Sequence, residues 1–263
     1  MVAIMPVVKL NRGSEVPVLT FGTAAPYLGK DCSDAIVQAL RAGFRHFDTA
    51  QLYRNQESMG KALALWEGDR KEVYITAKWG LMGNQKNDAR SALNETLRLV
   101  RVWGFMSKRY QNRLLNMGLA LMQMRLDYVD MFLMHSPITL SGLTLTEAWA
   151  QMEHLRAEGK CKDIGVSNCA SLDIRELSKN WNVVPAVNQI ELSPHNAHAP
   201  RSIACRRIFL GELSEKLDLT EGQILFKWAQ QTMDGPVVTE DMRRISEAGK
   251  ERYYRRYLDP FRP

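Results

Sequence analysis

Cysteine is scarce in this chain. There are four in 263 residues: Cys32, Cys161, Cys169 and Cys205. No two of them stand as CxxC, and no metal-ligand spacing appears. This excludes a disulfide framework and a zinc module, and it leaves reduced, mostly buried thiols of a cytoplasmic protein. No run approaches the roughly 18 apolar residues of a membrane helix. The opening Met1 to Pro6 lacks a charged flank, so no secretory signal is expected there. Dominance by one charge sign is also missing. Lys and Arg number 35 against 29 Asp and Glu, a net charge of +6, which requires no nucleic-acid partner. Part of the basic excess lies at Arg101, Lys108, Arg109 and Arg113, and part near the C-terminus between Arg243 and Arg262. Solvated helix faces account for both, although a phosphate-bearing ligand could use one or two of these side chains. His195 and His198 stand i, i+3 without a third ligand nearby, which favours a polar loop over a metal site.

The composition that is present, 45% hydrophobic and 24% charged, fits a soluble globular protein. The length is close to the roughly 250 residues of a single (β/α)8 barrel. One domain over residues 1–263 is therefore expected.

Three short apolar runs end in titratable residues. Phe44 to Phe47 runs into Asp48, Val73 to Ala77 into Lys78, and Tyr128 to Met134 into His135. Tyr53 follows Asp48 by five residues in a polar, helix-opening context. In a (β/α)8 barrel, the C-terminal ends of parallel strands converge on one site. A tyrosine hydroxyl, with an ordinary pKa of about 10, is a poor acid near neutrality unless an ammonium favours its phenolate. Lys78 could supply that ammonium, Asp48 could keep it charged, and His135 could orient a substrate oxygen. Such a set suits proton delivery to a carbonyl oxygen. The carbon then needs a hydride, which no side chain supplies, so a nicotinamide cofactor is implied. Taken singly, each residue has an ordinary structural reading: an amphipathic surface tyrosine, a solvated lysine, a satisfied histidine.

The ordered set Asp48, Tyr53, Lys78 and His135 resembles the tetrad of the aldo-keto reductase superfamily. Gly43 to Ala50 is similar to that family's most recognisable signature. So are the Gly22-Thr23 turn, Leu126 to Asp130, Ile164 to Asn168, and Asn188 to Glu191. The resemblance implies NADPH-dependent reduction of aldehydes or ketones on a (β/α)8 TIM barrel. Tyr53 would be the proton donor, Asp48 and Lys78 its tuning partners, and His135 the orienter. It also implies that Ser167, Asn168 and Gln189 help hold the nicotinamide carboxamide. Gly22, Thr23 and Asp48 would join them in cofactor binding, with Arg244 and Glu247 at the adenosine end. Arg244 beside Arg243 suits a 2′-phosphate, so NADPH is expected over NADH. Ser167-Asn168 as a helix cap is compatible with the binding role. The implied substrate is a small-molecule carbonyl, and the implied state is a cytoplasmic monomer without nucleic-acid or membrane partners.

Coarse periodicity fills in the remainder. Val7 to Leu10 and Val16 to Val18 form a hairpin, and Val18 to Thr23 is the first barrel strand. A helix runs from Ser33 to Ala42 with Gly43 as its stop. Asn87 or Asp88 caps another helix, which is expected to end near Leu99. Thr144 to Glu147 and Thr220 to Gln223 read as capping boxes. Cys161 to Val166 is strand five, and Ala186 to Ile190 is strand six.

Two departures from the family pattern stand out. About twenty extra residues intervene between Val100 and Gln123, expected to loop out on the side away from the active-site face. Further on, Cys205 to Gly211 passes directly into a helical stretch, Glu212 to Leu217, so the barrel is expected to be incomplete at strand seven. Pro236 to Thr239 is the expected last strand, and the family's Lys-Ser phosphate clamp is not found after it. These gaps set an expectation of weak cofactor binding and low turnover. They also support an alternative function, a catalytically impaired nucleotide-binding barrel.

Overall fold

The computed structural model describes residues 6–66, 68–80, 88–102, 128–137, 142–191, 214–220 and 223–224. The chain divides into two compact units, Met1–Gln189 and Ile190–Pro263. The first unit opens with an antiparallel hairpin, β1 (Val7–Lys9) and β2 (Glu15–Pro17), as its sequence leads one to expect. Six parallel strands follow: β3 (Thr20–Gly22), β4 (His46–Asp48), β5 (Tyr74–Trp79), β6 (Val129–Met134), β7 (Cys161–Ser167) and β8 (Asn188–Gln189). They pair strictly in chain order. Helices α1 (Ser33–Arg41), α2 (Gln56–Leu65), α3 (Ala89–Val102), α4 (Leu145–Ala157) and α5 (Ser171–Ser178) lie between them in sequence. Sequential β-α-β succession with in-order parallel pairing is the construction of the (β/α)8 TIM barrel. The six-stranded sheet is consistent with an incomplete barrel.

Strand alternation sorts the side chains into two sets. Phe47, Ile75, Ala77, Trp79, Phe132, Met134, Ile164 and Val166 join the large core that includes Ile36, Leu40, Met59, Leu93, Trp149 and Met152 of the helices. The alternate positions Tyr74, Met131 and Leu133 pack instead with Val16, Leu10, Ala186 and Val187. Because both faces are covered, β5 and β6 are buried at every residue, which is why they read as unbroken apolar runs. Burying a side chain the size of Phe47 or Phe132 contributes about 1.5–3 kcal/mol.

Local signals mostly place the element ends. Gly43 has φ +99°, a left-handed conformation that stops α1 at little steric cost. The Asp88 carboxylate accepts from the Ser91 N–H at 2.7 Å, capping α3. That helix runs to Val102, three residues past its expected end at Leu99. Thr144 and Glu147 form the expected capping box of α4. Thr220 and Gln223 exchange the bonds of another, at 2.8 and 3.3 Å. Residues 214–217 are helical, as expected. Strand β8 is shorter than its sequence suggests, Asn188–Gln189 rather than Ala186 to Ile190. The extra segment after Val102, the proposed gap at strand seven, the last strand, and Arg244, Glu247, His195 and His198 lie outside the described residues.

Two glycines permit close approaches. A Cβ on Gly60 of α2 would strike the Val100 carbonyl of α3, so the helices can meet there only without a side chain. A Cβ on Gly165 of β7 would come within 2.8 Å of the Val187 carbonyl oxygen and of Leu133 Cδ2. Gly165 thus lets the chain leading into β8 lie against β7.

Candidate active site

The C-terminal ends of β3 to β8 carry the polar residues singled out in the sequence. Parallel register aligns Gly22 with Asp48 and Asp48 with Thr76. Lys78 lies two residues beyond Thr76 on the same face of β5. The Lys78 ammonium donates to Asp48 Oδ1 and, at 3.1 Å, to the Tyr53 hydroxyl oxygen. Tyr53 sits on the 3-10 turn Gln51–Tyr53, with Lys78 Nζ 5.0 Å from its ring centroid. His135 immediately follows β6, and its ring meets Tyr53 edge-on at 5.7 Å between centroids. Four side chains separated by as many as 87 positions therefore share one neighbourhood, Asp48 to His135.

Burial and charge act against each other here. Lys78 is 2% exposed. Its burial favours the neutral amine, but the charge of Asp48, the electrostatic pull of the Tyr53 phenol and the hydrogen bonds to both outweigh this, so its pKa is raised. The lysine stays an ammonium. Burial is the main force on His135 and lowers its pKa to about 4, with the Lys78 charge adding to the effect and Asp48 opposing it. The ring is therefore neutral near pH 7. Its Nδ1 is buried and takes no hydrogen bond among the described residues. The His135 backbone is pinned from both sides, its N–H donating to Trp79 at 2.8 Å and its carbonyl accepting from Asn168 at 3.0 Å.

The residues assigned to the cofactor lie around this centre. Thr23 donates both its backbone N–H and its hydroxyl to the Asp48 carbonyl, each at 3.0 Å. Gly22 is exposed, and a Cβ there would meet nothing within 4 Å. Ser167 donates to the Gln189 carbonyl at 2.9 Å. Asn168, at φ +57°, donates from Nδ2 to the His135 carbonyl and, at 3.1 Å, to Ser167 Oγ. Gln189 donates from Nε2 to Asp48 Oδ2 at 3.0 Å, across 141 positions of sequence. Ser167 and Asn168 do not cap α5. That helix begins after Ala170, whose N–H is taken by the Asp173 carboxylate at 2.7 Å.

Sequence reasoning missed Asn55. It is buried, and its Nδ2 donates to the carbonyls of Thr23 at 2.7 Å and Tyr27 at 2.9 Å. Gly29 N–H donates to the Tyr53 carbonyl at 2.9 Å. Together these bonds hold the loop after β3 onto the turn that carries Tyr53. Asn55 occupies the N-cap position of α2 without capping it: its Nδ2 is spent on the loop after β3, and its Oδ1 is buried and accepts no hydrogen bond among the described residues. The only signal in the sequence was an amide two residues past the tyrosine.

Among the described residues, no group of three or more His, Cys, Asp or Glu could hold a metal ion, and no helix is long and apolar enough to cross a membrane.

Comparison with known proteins points in one direction. Residues 19–206 match the family described as "Aldo/keto reductase family". The chain is 31% identical to an NADPH-dependent alpha-keto amide reductase of Saccharomyces cerevisiae, over 91% of this chain and 83% of that one. It is 33% identical to an aldehyde reductase of the same yeast, over 71% of this chain and 60% of that one. The fold matches an aldo-keto reductase of Bombyx mori solved in complex with NADP, with a TM-score of 0.71 at 22% identity, covering 93% of each chain.

Proposed function

The chain belongs to the aldo/keto reductase family, and from that premise we propose that it reduces a small aldehyde or ketone to the alcohol with NADPH. The observation that carries this reading is the Lys78 ammonium, which joins Asp48 and the Tyr53 hydroxyl in one buried contact. The Tyr53 hydroxyl gives its proton to the carbonyl oxygen as that oxygen gains negative charge. The phenolate left behind is stabilised by the ammonium beside it, in a site where little water screens the attraction. Asp48 holds the ammonium in place. His135, neutral, offers a hydrogen bond that orients the carbonyl oxygen without competing as an acid.

The residues present fit a nicotinamide. Asn168 and Gln189 both spend their amide nitrogens inward, and their carbonyl oxygens accept nothing among the described residues. Two such acceptors suit a carboxamide NH2. Ser167, Asn168, Gln189, Asp48, Thr23 and Gly22 would hold the nicotinamide end, with Arg244 and Glu247 at the adenosine end. When bound, the cofactor supplies the hydride that goes to the carbonyl carbon.

The test is loss of NADPH absorbance when the purified chain is mixed with a panel of small aldehydes, sugars and keto esters. Binding is followed separately by quenching of protein fluorescence. Turnover of at least one carbonyl supports the reading. NADPH binding with no turnover across the panel would instead favour an impaired nucleotide-binding barrel.

A further inference from the structure

Asp48 uses its two carboxylate oxygens differently. Oδ1 takes the Lys78 ammonium, and Oδ2 takes Gln189 Nε2 at 3.0 Å. A carboxylate paired with a lysine accepts and does not donate. It therefore dictates which end of the Gln189 amide can face it. The NH2 must turn toward Asp48, so the carbonyl oxygen Oε1 is the end left for a ligand. No bond to Oε1 is made among the described residues. On the neighbouring strand end, the His135 backbone carbonyl dictates the Asn168 amide in the same way, since it too can only accept.

We infer that Asp48, besides pairing Lys78, is a positioning residue for Gln189: it locks that amide with its acceptor oxygen toward the ligand, so that the site selects a cofactor ring bearing an NH2 donor. The inference rests on the reading of the site as a nicotinamide site and adds a determinant of selectivity to it. The chemistry is specific. If Asp48 is replaced by Asn, Lys78 still requires an acceptor and fixes the new amide's carbonyl. The new NH2 then faces Gln189, which must turn its own Oε1 inward and present Nε2 instead. The site would change from acceptor to donor at that position.

The experiment compares binding of two oxidised cofactors to the substrate-free chain by fluorescence quenching or calorimetry. One is NADP+. The other is 3-acetylpyridine adenine dinucleotide phosphate, whose ring carries a carbonyl but no NH2. The pair to Gln189 Oε1 contributes about tenfold to the parent chain's preference for NADP+, and the pair to Asn168 adds to it. In Asp48→Asn and in Gln189→Met the preference should fall about tenfold, to the part that Asn168 supplies, because neither presents Gln189 Oε1. A ratio cancels any general loss of affinity that the substitutions cause. A second readout needs no cofactor: the Gln189 side-chain NH2 resonance, identified by its loss in Gln189→Met, should shift in Asp48→Asn. A parent that binds NADP+ but keeps the same ratio in both variants overturns this inference alone. Failure of NADP+ to bind the parent overturns both the inference and the reading beneath it.

Discussion

Two buried aspartates sit near opposite ends of the same parallel strands, each beside cations, and they differ in what is left over. Asp130, the second residue of β6, accepts from Arg70 Nη2 at 2.7 Å, Lys162 Nζ at 2.7 Å and the Ile75 N–H at 2.9 Å. Arg70 and Lys162 also lie 4.8 and 4.7 Å from the Tyr128 ring. That carboxylate is fully occupied by the protein's own groups, and its cations have an aromatic face as well. Asp48, the last residue of β4, shares its lysine with a tyrosine hydroxyl beside a neutral histidine whose Nδ1 is unpartnered among the described residues. The first cluster is closed and can only hold the strands together. In the second, a tyrosine hydroxyl and a ring nitrogen unpartnered among the described residues stand at the strand ends where barrel enzymes place their chemistry. An aspartate–cation pair by itself therefore says nothing about function; the unspent hydrogen-bonding capacity beside it does.

The largest expected effect tests the open cluster. Tyr53→Phe keeps the ring and removes the proton, so carbonyl reduction should drop about a thousandfold, the usual scale of general acid catalysis, with NADPH affinity nearly unchanged. Turnover near that of the parent would make Tyr53 a structural residue like Tyr128.

The closed cluster should respond the opposite way. Asp130→Ala leaves Arg70 and Lys162 without their carboxylate, and breaking a buried pair costs about 3–5 kcal/mol. Denaturant unfolding should show that loss, while the cofactor affinity of the folded protein stays put. A variant as stable as the parent but unable to bind cofactor would erase the distinction between the two ends.

Acid sharpens the comparison further. The folded His135 titrates near pH 4, well below the ordinary imidazole value of about 6.5. Between those values the unfolded chain binds a proton that the folded chain refuses. Stability is then highest above about pH 6.5 and falls as the pH drops toward 4, by about 3 kcal/mol from this group. Burial also lowers the pKa of His46, so it adds in the same direction. Unfolding measured at neutral pH and again near pH 4.5 should show a smaller difference in His135→Gln than in the parent. An identical difference would mean that the ring is not protected from protonation.

The smallest effect concerns redundancy. Lys162 is 53% exposed, and Arg70 holds the same carboxylate. Lys162→Met should cost about 1 kcal/mol or less. A loss as large as that of Asp130→Ala would show that the two cations are not interchangeable.

Much of this site is legible in the order of residues along the chain. The run Val73 to Ala77 before Lys78 and the carboxylate after Phe47 mark Lys78 and Asp48 as strand-end residues, and the Tyr53 turn follows within five positions. Local physics suffices there: strand period, helix caps at Asp88 and Thr144, and a glycine at the end of α1 all act within a few residues of chain. Asn55 was missed because its partners, Thr23 and Tyr27, are about thirty positions away, and nothing local distinguishes a clamp from a cap. Asp130 was noticed only as part of a motif. Its occupancy by Arg70 and Lys162 depends on the pairing of β5, β6 and β7.

By itself the sequence determined which residue types end which strands, and hence that an acid, an ammonium and an imidazole would lie at one end of a parallel sheet. Tertiary structure alone decided how those groups divide one another's hydrogen bonds. Lys78 takes one oxygen of Asp48, and Gln189 takes the other from 141 positions away. The physical reason is that hydrogen bonds form only within about 3 Å. Which donors reach a carboxylate is fixed by how the sheet curls and where each strand stops, and those follow from the packing of the whole unit, not from any stretch of it.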